Sequence, residues 1–295
     1  MAPITPRGSG IQLAGGGGQT PAPVVMGILN VTPDSFSDGG EFFGTESAAA
    51  RAAEMLDEGA GIVDVGGEST RPGSDPVPAE EEARRAVPVI REILAARPGA
   101  VISIDTYHAA TAEAALEAGA GLVNDVTALN GDPRMADVVA GAGCPVVLMH
   151  MLGEPKTMQQ NPSYEDVVSE VREFLARRAE AAISAGISPE DVILDPGIGF
   201  GKNLEHNLAL VENLDAIADL GYPVLFGASR KSFIGKLSGG ADGEAGDRVF
   251  GTVAASVLAY ERGATIFRVH DVRANREALQ VAAAISGSGS SGSVS

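Results

Sequence analysis

Apolar residues fall along this chain in short runs separated by longer stretches with helical spacing. The runs are Val24–Asn30, Ile62–Val65, Val101–Asp105, Leu122–Asp125, Pro145–Met149, Val192–Asp195, Pro223–Phe226 and Thr265–Val269. They are rich in Val and Ile, as expected of parallel strands buried on both faces. Between the first two runs, Ala49, Ala52, Ala53, Leu56 and Ala60 follow the i, i+3, i+4 rule, with Gly59 and Gly61 placed to end the helix. Asp132-Pro133 reads as a cap followed by a proline suited to a first helical turn. Ser163-Tyr-Glu-Asp166 reads as a capping box with Asp in the place of the usual Glu. Ala254, Val257 and Leu258 extend an apolar face that starts at Val249. Eight strands alternating with helices predict an α/β fold, a single-domain (β/α)8 TIM barrel. A doubly wound open sheet is the competing arrangement.

Composition sets the boundaries. Residues 1–23 are rich in Pro and Gly, with Gly15–Gly18 in a row, and read as a flexible extension. The barrel spans 24–285, and 286–295 form a Gly/Ser tail expected to be flexible coil. The N-terminal stretch has no apolar core of a signal peptide, and no run approaches the roughly 20 apolar residues of a membrane span. The reading is therefore a cytoplasmic chain with no membrane partner.

Charge narrows the partners further. With 21 basic and 39 acidic residues the formal net charge is −18, and the basic residues are scattered. That excludes a nucleic-acid surface, which needs clustered Lys and Arg. An acidic chain still binds an anion where a few cations converge. Cys144 is the only cysteine, so no intrachain disulfide forms, and its apolar setting favours burial over reactivity.

In a (β/α)8 barrel the functional groups gather at the C-terminal ends of the strands. Here those ends are unusually polar: Asn30 to Phe36, Asp64 to Pro72, Asp105-Thr106, Asn124-Asp125, His150, Asp195 to Lys202, Ser229 to Ser232 and Arg268 to Asp271. Asp105, Asn124 and Asp195 close apolar strands, where an unpaired carboxylate is costly to bury. A flat heterocycle with adjacent N–H donors would satisfy them; capping of neighbouring loops is the plainer alternative. Arg71, Lys231, Arg268 and His270 follow strands two, seven and eight and form a cationic set able to hold a diphosphate. Asn30 offers a neutral amide oxygen suited to Mg²⁺ beside phosphate. His150 reads as a supporting group, and His108 and His206 as ordinary helix starts. No His/Cys cluster of zinc type is present. The glycines of Gly197-Ile-Gly-Phe-Gly201 allow close backbone approach but match no nucleotide-binding fingerprint.

The motifs themselves resemble those of the dihydropteroate synthases. Met26-Gly-Ile-Leu-Asn-Val-Thr-Pro-Asp-Ser-Phe-Ser-Asp-Gly-Gly40 is similar to that family's opening signature, and Asp64-Val-Gly-Gly-Glu-Ser-Thr-Arg-Pro-Gly73 to its second loop. Ile104-Asp-Thr106, Asn124-Asp-Val126, Met149-His-Met151, Asp195 to Lys202, Ser229 to Ser232 and Arg268 to Val272 complete the match. The resemblance implies a transferase of folate biosynthesis, a sulfonamide target, that joins a pterin diphosphate to 4-aminobenzoate with Mg²⁺. It implies that Asp105, Asn124, Asp195 and Lys231 grip the pterin, with Phe200 as a further substrate contact. Asn30 would ligate Mg²⁺, Arg268 and His270 would hold the diphosphate, and Ser232 would meet the 4-aminobenzoate carboxylate. Thr70, Arg71 and Pro72 would enclose the second substrate together with Phe36. Asp34 would steady a cationic pterin, so Asp34, Phe36, Arg71 and Lys231 carry the catalytic expectation. A homodimer is implied as well. The alternatives are a non-catalytic pterin-binding paralogue and a corrinoid-dependent pterin methyltransferase domain.

Overall fold

A computed structural model describes residues 22–32, 40–69, 73–238 and 248–288. Strands β1 (Val24–Asn30), β2 (Ile62–Gly66), β3 (Ile102–Asp105), β4 (Leu122–Asp125), β5 (Val146–Met149), β6 (Val192–Asp195), β7 (Val224–Phe226) and β8 (Ala264–Val269) pair in parallel and in sequence order. β8 returns to β1, with Met26 level with Arg268, and closes the barrel. The open-sheet alternative is thereby excluded.

Helices α1 (Gly40–Asp57), α2 (Ala79–Ala96), α3 (Ala109–Glu117), α4 (Met135–Ala142) and α5 (Val167–Ser184) cover the first half of the barrel. Helices α6 (Leu204–Glu212), α7 (Asp215–Ala218), α8 (Ser232–Leu237), α9 (Val249–Glu261) and α10 (Val272–Ser288) cover the second. The last runs three residues into the predicted Gly/Ser tail.

Two predicted helix starts are displaced, each for its own reason. Asp132 lies three residues before Met135, the first residue of α4; its carboxylate accepts from the Arg134 N–H of its own turn and from the Ala109 N–H at the head of α3. It therefore serves a neighbouring helix, which local sequence does not reveal. Before α5 the cap is Asp166, not Ser163: Asp166 accepts from the Val168 and Ser169 N–H groups, and Glu170 accepts from those of Glu165 and Asp166.

The apolar side chains divide into two cores, which explains why the strands did not alternate in sequence. One core lies between sheet and helices and includes Leu29, Val63, Val65, Ile104, Val123, Val146, Leu148, Leu194 and Phe226. The other fills the barrel interior and consists of Met26, Ile62, Val101, Leu122, Val147, Ile193, Leu225 and Ile266. Successive strand residues point to opposite faces. One step further toward the C-terminal end the inward row changes character: Ile62 is followed by Asp64, Leu122 by Asn124, Ile193 by Asp195 and Ile266 by Arg268. The barrel is thus apolar below and polar at its mouth, and the site rests on a packed floor.

Leu122 belongs to that floor and is fully buried. Leu122→Ala is expected to cost about 2–5 kcal/mol of stability, read from urea denaturation. A loss below about 1 kcal/mol would show that the barrel interior closes around the gap.

Candidate active site

Three strands deliver carboxylate acceptors to the mouth. Asp64 on β2 is fully buried and its Oδ2 accepts from Arg268 Nε at 2.6 Å and from Asn124 Nδ2 at 3.1 Å. Asp105, at the end of β3, accepts from Arg268 Nη2 at 2.5 Å. Asp195, at the end of β6, has its Oδ1 held by the Gly197 N–H at 2.7 Å. Arg268 therefore lies inside the barrel mouth as an ion-pair bridge between β2 and β3. Its Nη1 makes no bond among the described residues.

These bonds leave the cluster incompletely satisfied. Asp64 Oδ1 and Asp105 Oδ1 are buried and find no hydrogen-bond partner among the described residues. Such an orphan acceptor costs about 1–3 kcal/mol, a cost that a ligand N–H would relieve. Burial raises the Asp105 carboxyl above its ordinary range, and the Arg268 guanidinium pulls it back. Burial likewise raises Asp195, opposed chiefly by Lys231. Burial works against the Arg268 charge as well, but Asp64 and Asp105 outweigh it and hold its pKa above the ordinary value.

Lys231 approaches from the other side. It precedes α8, donates to the Ile198 carbonyl, and places Nζ 4.4 Å from the centre of the Phe200 ring. Burial brings its pKa down to about 7, against the pull of the Asp195 carboxylate. Gly199, at φ 82°, lies against the Lys231 side chain: a Cβ there would stand 2.8 Å from Cδ. This is the close approach that required glycine in the β6–α6 loop.

The remaining predicted residues are placed as follows. Asn30 ends β1, half-buried, with its carboxamide unengaged among the described residues. Ser232 opens α8 and is exposed. His270 receives the Ser229 side chain at 3.0 Å on Nδ1 and donates its own N–H to the same hydroxyl oxygen at 3.1 Å. Arg230, beside them, forms a two-point ion pair with Asp271. Asp34, Phe36, Thr70, Arg71 and Pro72 lie outside the described residues. A cavity of about 640 Å³ opens over β3 to β5, lined by Tyr107, Val126, Met149, Met151 and Pro155 among others. None of the charged residues of the mouth lines it, so it is not the grip itself.

Three features escaped the sequence reading. Asp64 was named only as the start of a polar strand end and given no role of its own; its place between Ile62 and Gly66 on the inward row was the available signal. Lys202, read only as part of a motif, is 2% exposed. His108, read as an ordinary helix start, places Nδ1 3.0 Å from Glu82 Oε2, which also accepts from Thr106. With Glu68, which Tyr107 holds by its hydroxyl, these residues form a carboxylate–histidine group whose candidate ligand atoms lie within 4.8 Å of one another. Its bonds tie the segment that follows β3 to α2 and to Glu68 after β2. His150 is a supporting residue as expected, with Nδ1 2.9 Å from Lys202 Nζ and its ring edge-on to Phe174.

The comparisons with known proteins agree with this geometry. The model of the family described as "Pterin binding enzyme" matches residues 26–270. The dihydropteroate synthase of Neisseria meningitidis serogroup B is 49% identical, over 88% of this chain and 91% of its own length. A structure of the Xanthomonas albilineans dihydropteroate synthase with 4-aminobenzoic acid superposes with a TM-score of 0.83 at 48% identity, covering 90% of this chain and 93% of that one. The same enzyme in complex with 7,8-dihydropteroate gives a TM-score of 0.80 at 46% identity, over 90% and 94% of the two chains. A closed parallel barrel whose mouth gathers Asp64, Asp105, Asn124, Asp195, Lys231 and Arg268, and whose sequence matches these relatives nearly end to end, belongs to the dihydropteroate synthase family of pterin-binding enzymes.

Proposed function

We propose that this chain condenses 6-hydroxymethyl-7,8-dihydropterin diphosphate with 4-aminobenzoate, giving 7,8-dihydropteroate and diphosphate. The observation that carries the reading is the pair of orphaned carboxylate oxygens, on Asp64 and Asp105, in a mouth that also holds buried cations. A pterin ring presents adjacent N–H donors that such carboxylates accept. Asp105, Asn124 and Asp195 grip the ring, and Lys231 and Phe200 bound its other edge. The relatives are synthases, and the Xanthomonas enzyme is known with the product in place. That favours turnover over a silent paralogue or a methyltransferase domain.

In the reaction the bond between the pterin methylene carbon and the diphosphate oxygen breaks first. The leaving group gains negative charge, which Arg268 through its free Nη1 and His270 stabilise. Magnesium, when bound, supplies further positive charge to the diphosphate. Asn30 is the residue that would hold it, since its amide oxygen is unengaged at the head of β1 and is of the type a hard cation takes. The buried carboxylates, with Asp34 on the first loop, favour the cationic pterin left behind. The aniline nitrogen of 4-aminobenzoate then attacks the methylene carbon and gives up a proton. Ser232 receives the carboxylate of that substrate, while Phe36, Thr70, Arg71 and Pro72 exclude water from the cation.

The working protein is proposed to be a cytoplasmic homodimer. Among the described residues no helix is long and apolar enough to cross a membrane. On the outer ring Phe250 is 87% exposed and Ile285 68% exposed. Burial of two such side chains against a second copy contributes about 1.5–3 kcal/mol each.

A product assay with both substrates tests the main reading: dihydropteroate forms with magnesium and its formation falls sharply on chelation. Binding of the pterin diphosphate without product would refute it. The pH profile supplies a second test. With Asp195 raised and Lys231 near 7 in the free protein, kcat/KM for the pterin diphosphate falls at low pH as the acceptor is protonated. It falls again above about 7 as Lys231 loses its charge. Lys231→Arg makes the upper fall shallower, because a guanidinium stays protonated, and leaves the part due to Lys202, which burial also brings down to about 7; a profile without an upper limb in the native protein contradicts the assignment. Sedimentation at working concentration is expected to show twice the 30.0 kDa chain mass, and a lone monomer would exclude the dimer.

A further inference from the structure

The β6–α6 loop carries more of the site than any other described loop. Asp195 precedes it, Phe200 lies on it, and its Ile198 carbonyl receives Lys231. The loop lies directly on the backbone that follows β5. Gly197, at φ 67°, touches the His150 carbonyl so closely that a Cβ would overlap it, and a Cβ on Gly201 would stand 2.5 Å from the Leu152 carbonyl. No side chain of the loop separates these two backbones.

Lys202 closes this contact from beneath. Its Nζ meets His150 Nδ1 at 2.9 Å and donates to the Phe200 carbonyl at 3.0 Å, with the His150 carbonyl at a longer 3.4 Å. The imidazole is neutral, since burial and the adjacent ammonium bring its pKa down to about 3, and so Nδ1 can act as the acceptor. The His150 N–H in turn donates to the Asp195 carbonyl at 3.0 Å. Lys202 is 2% exposed, and burial brings its pKa down to about 7 against the pull of Asp195, so it carries its charge below that pH. There it adds a smaller contribution to that of Lys231 in favouring the ionised Asp195 carboxyl.

We propose that Lys202 is a positioning residue for the pterin grip. It pins the β6–α6 loop to the end of β5 so that Asp195 and Phe200 face the ring in a fixed geometry, and it supplies positive charge behind Asp195. The groups facing it are His150 from β5, Asp195 from β6 and Lys231 from the head of α8. The second substrate does not depend on the pin, because Ser232 and the first two loops belong to other parts of the barrel.

This rests on the synthase reading, and native protein assayed in parallel keeps the two apart. No product from the native chain would fault that reading and leave the pin unaddressed by it, so pterin diphosphate binding is also measured directly by calorimetry. Lys202→Met is expected to raise KM and Kd for the pterin diphosphate about ten-fold while KM for 4-aminobenzoate stays within about two-fold. The acid limb of kcat/KM moves to higher pH, because Asp195 has lost a neighbouring positive charge. Lys202→Gln keeps amide donors for the two carbonyls but no charge; it shows the same pH shift with a smaller rise in KM. Unchanged pterin binding and an unmoved acid limb in folded Lys202→Met overturn the proposal. So does an equal loss toward both substrates, which marks a brace for the fold. If Lys202→Met does not fold, Lys202→Gln decides by the same readouts, and failure of both to fold counts against the proposal.

Discussion

Three carboxylates, Asp64, Asp105 and Asp195, are buried at the mouth of one barrel, and the rest of the site is arranged around them. Removing a carboxylate from water is expensive unless partners replace the hydration. Arg268 bridges the first two, while the Gly197 N–H together with Lys231 and Lys202 serves the third. The balance is deliberately incomplete in one respect: oxygens of Asp64 and Asp105 remain without donors. An apolar floor of Met26, Ile62, Leu122 and Ile193 beneath them keeps water from entering from below. The mouth therefore offers two buried acceptor oxygens that a ligand N–H would satisfy.

The fold was legible because its signal is local. Val24–Asn30, Leu122–Asp125 and Val192–Asp195 were bounded correctly from sequence, since each is an apolar run stopped by a polar residue that marks the barrel mouth. β7 came out a residue shorter than its run, because Pro223 has no N–H for the ladder and serves only as an acceptor for Leu194. Helix starts were harder. The Asp132 carboxylate is shared between two helices that only the tertiary structure brings together.

The site was legible at its ends and obscure in its middle. Asp105, Asn124 and Asp195 announced themselves as polar residues closing apolar strands. Asp64 did not, for it is followed by Val65, which faces the outer core. Its neighbours on the inward row are set by the barrel register, which aligns it with Ile28 and Ser103. A strand read alone cannot give that alignment. Lys202 was obscure for another reason: a lysine in a glycine-rich loop reads as solvated, and only the folded loop encloses it. Arg268 was assigned to the diphosphate by resemblance, while its bonds in the folded chain go first to carboxylates.

That double commitment of Arg268 bears on how the reaction is organised. The guanidinium spans Asp64 and Asp105 with Nε and Nη2, and among the described residues its Nη1 makes no bond. A planar fork of this kind can hold two carboxylates and still offer N–H groups to a phosphate oxygen, without rotating away from either. A lysine at the same place would have to choose. Negative charge growing on the leaving group would draw the guanidinium outward, while positive charge growing on the pterin would strengthen the hold of the carboxylates on the ring. Both developing charges are thus met by groups already linked through one side chain, so little rearrangement is needed at the moment the bond breaks.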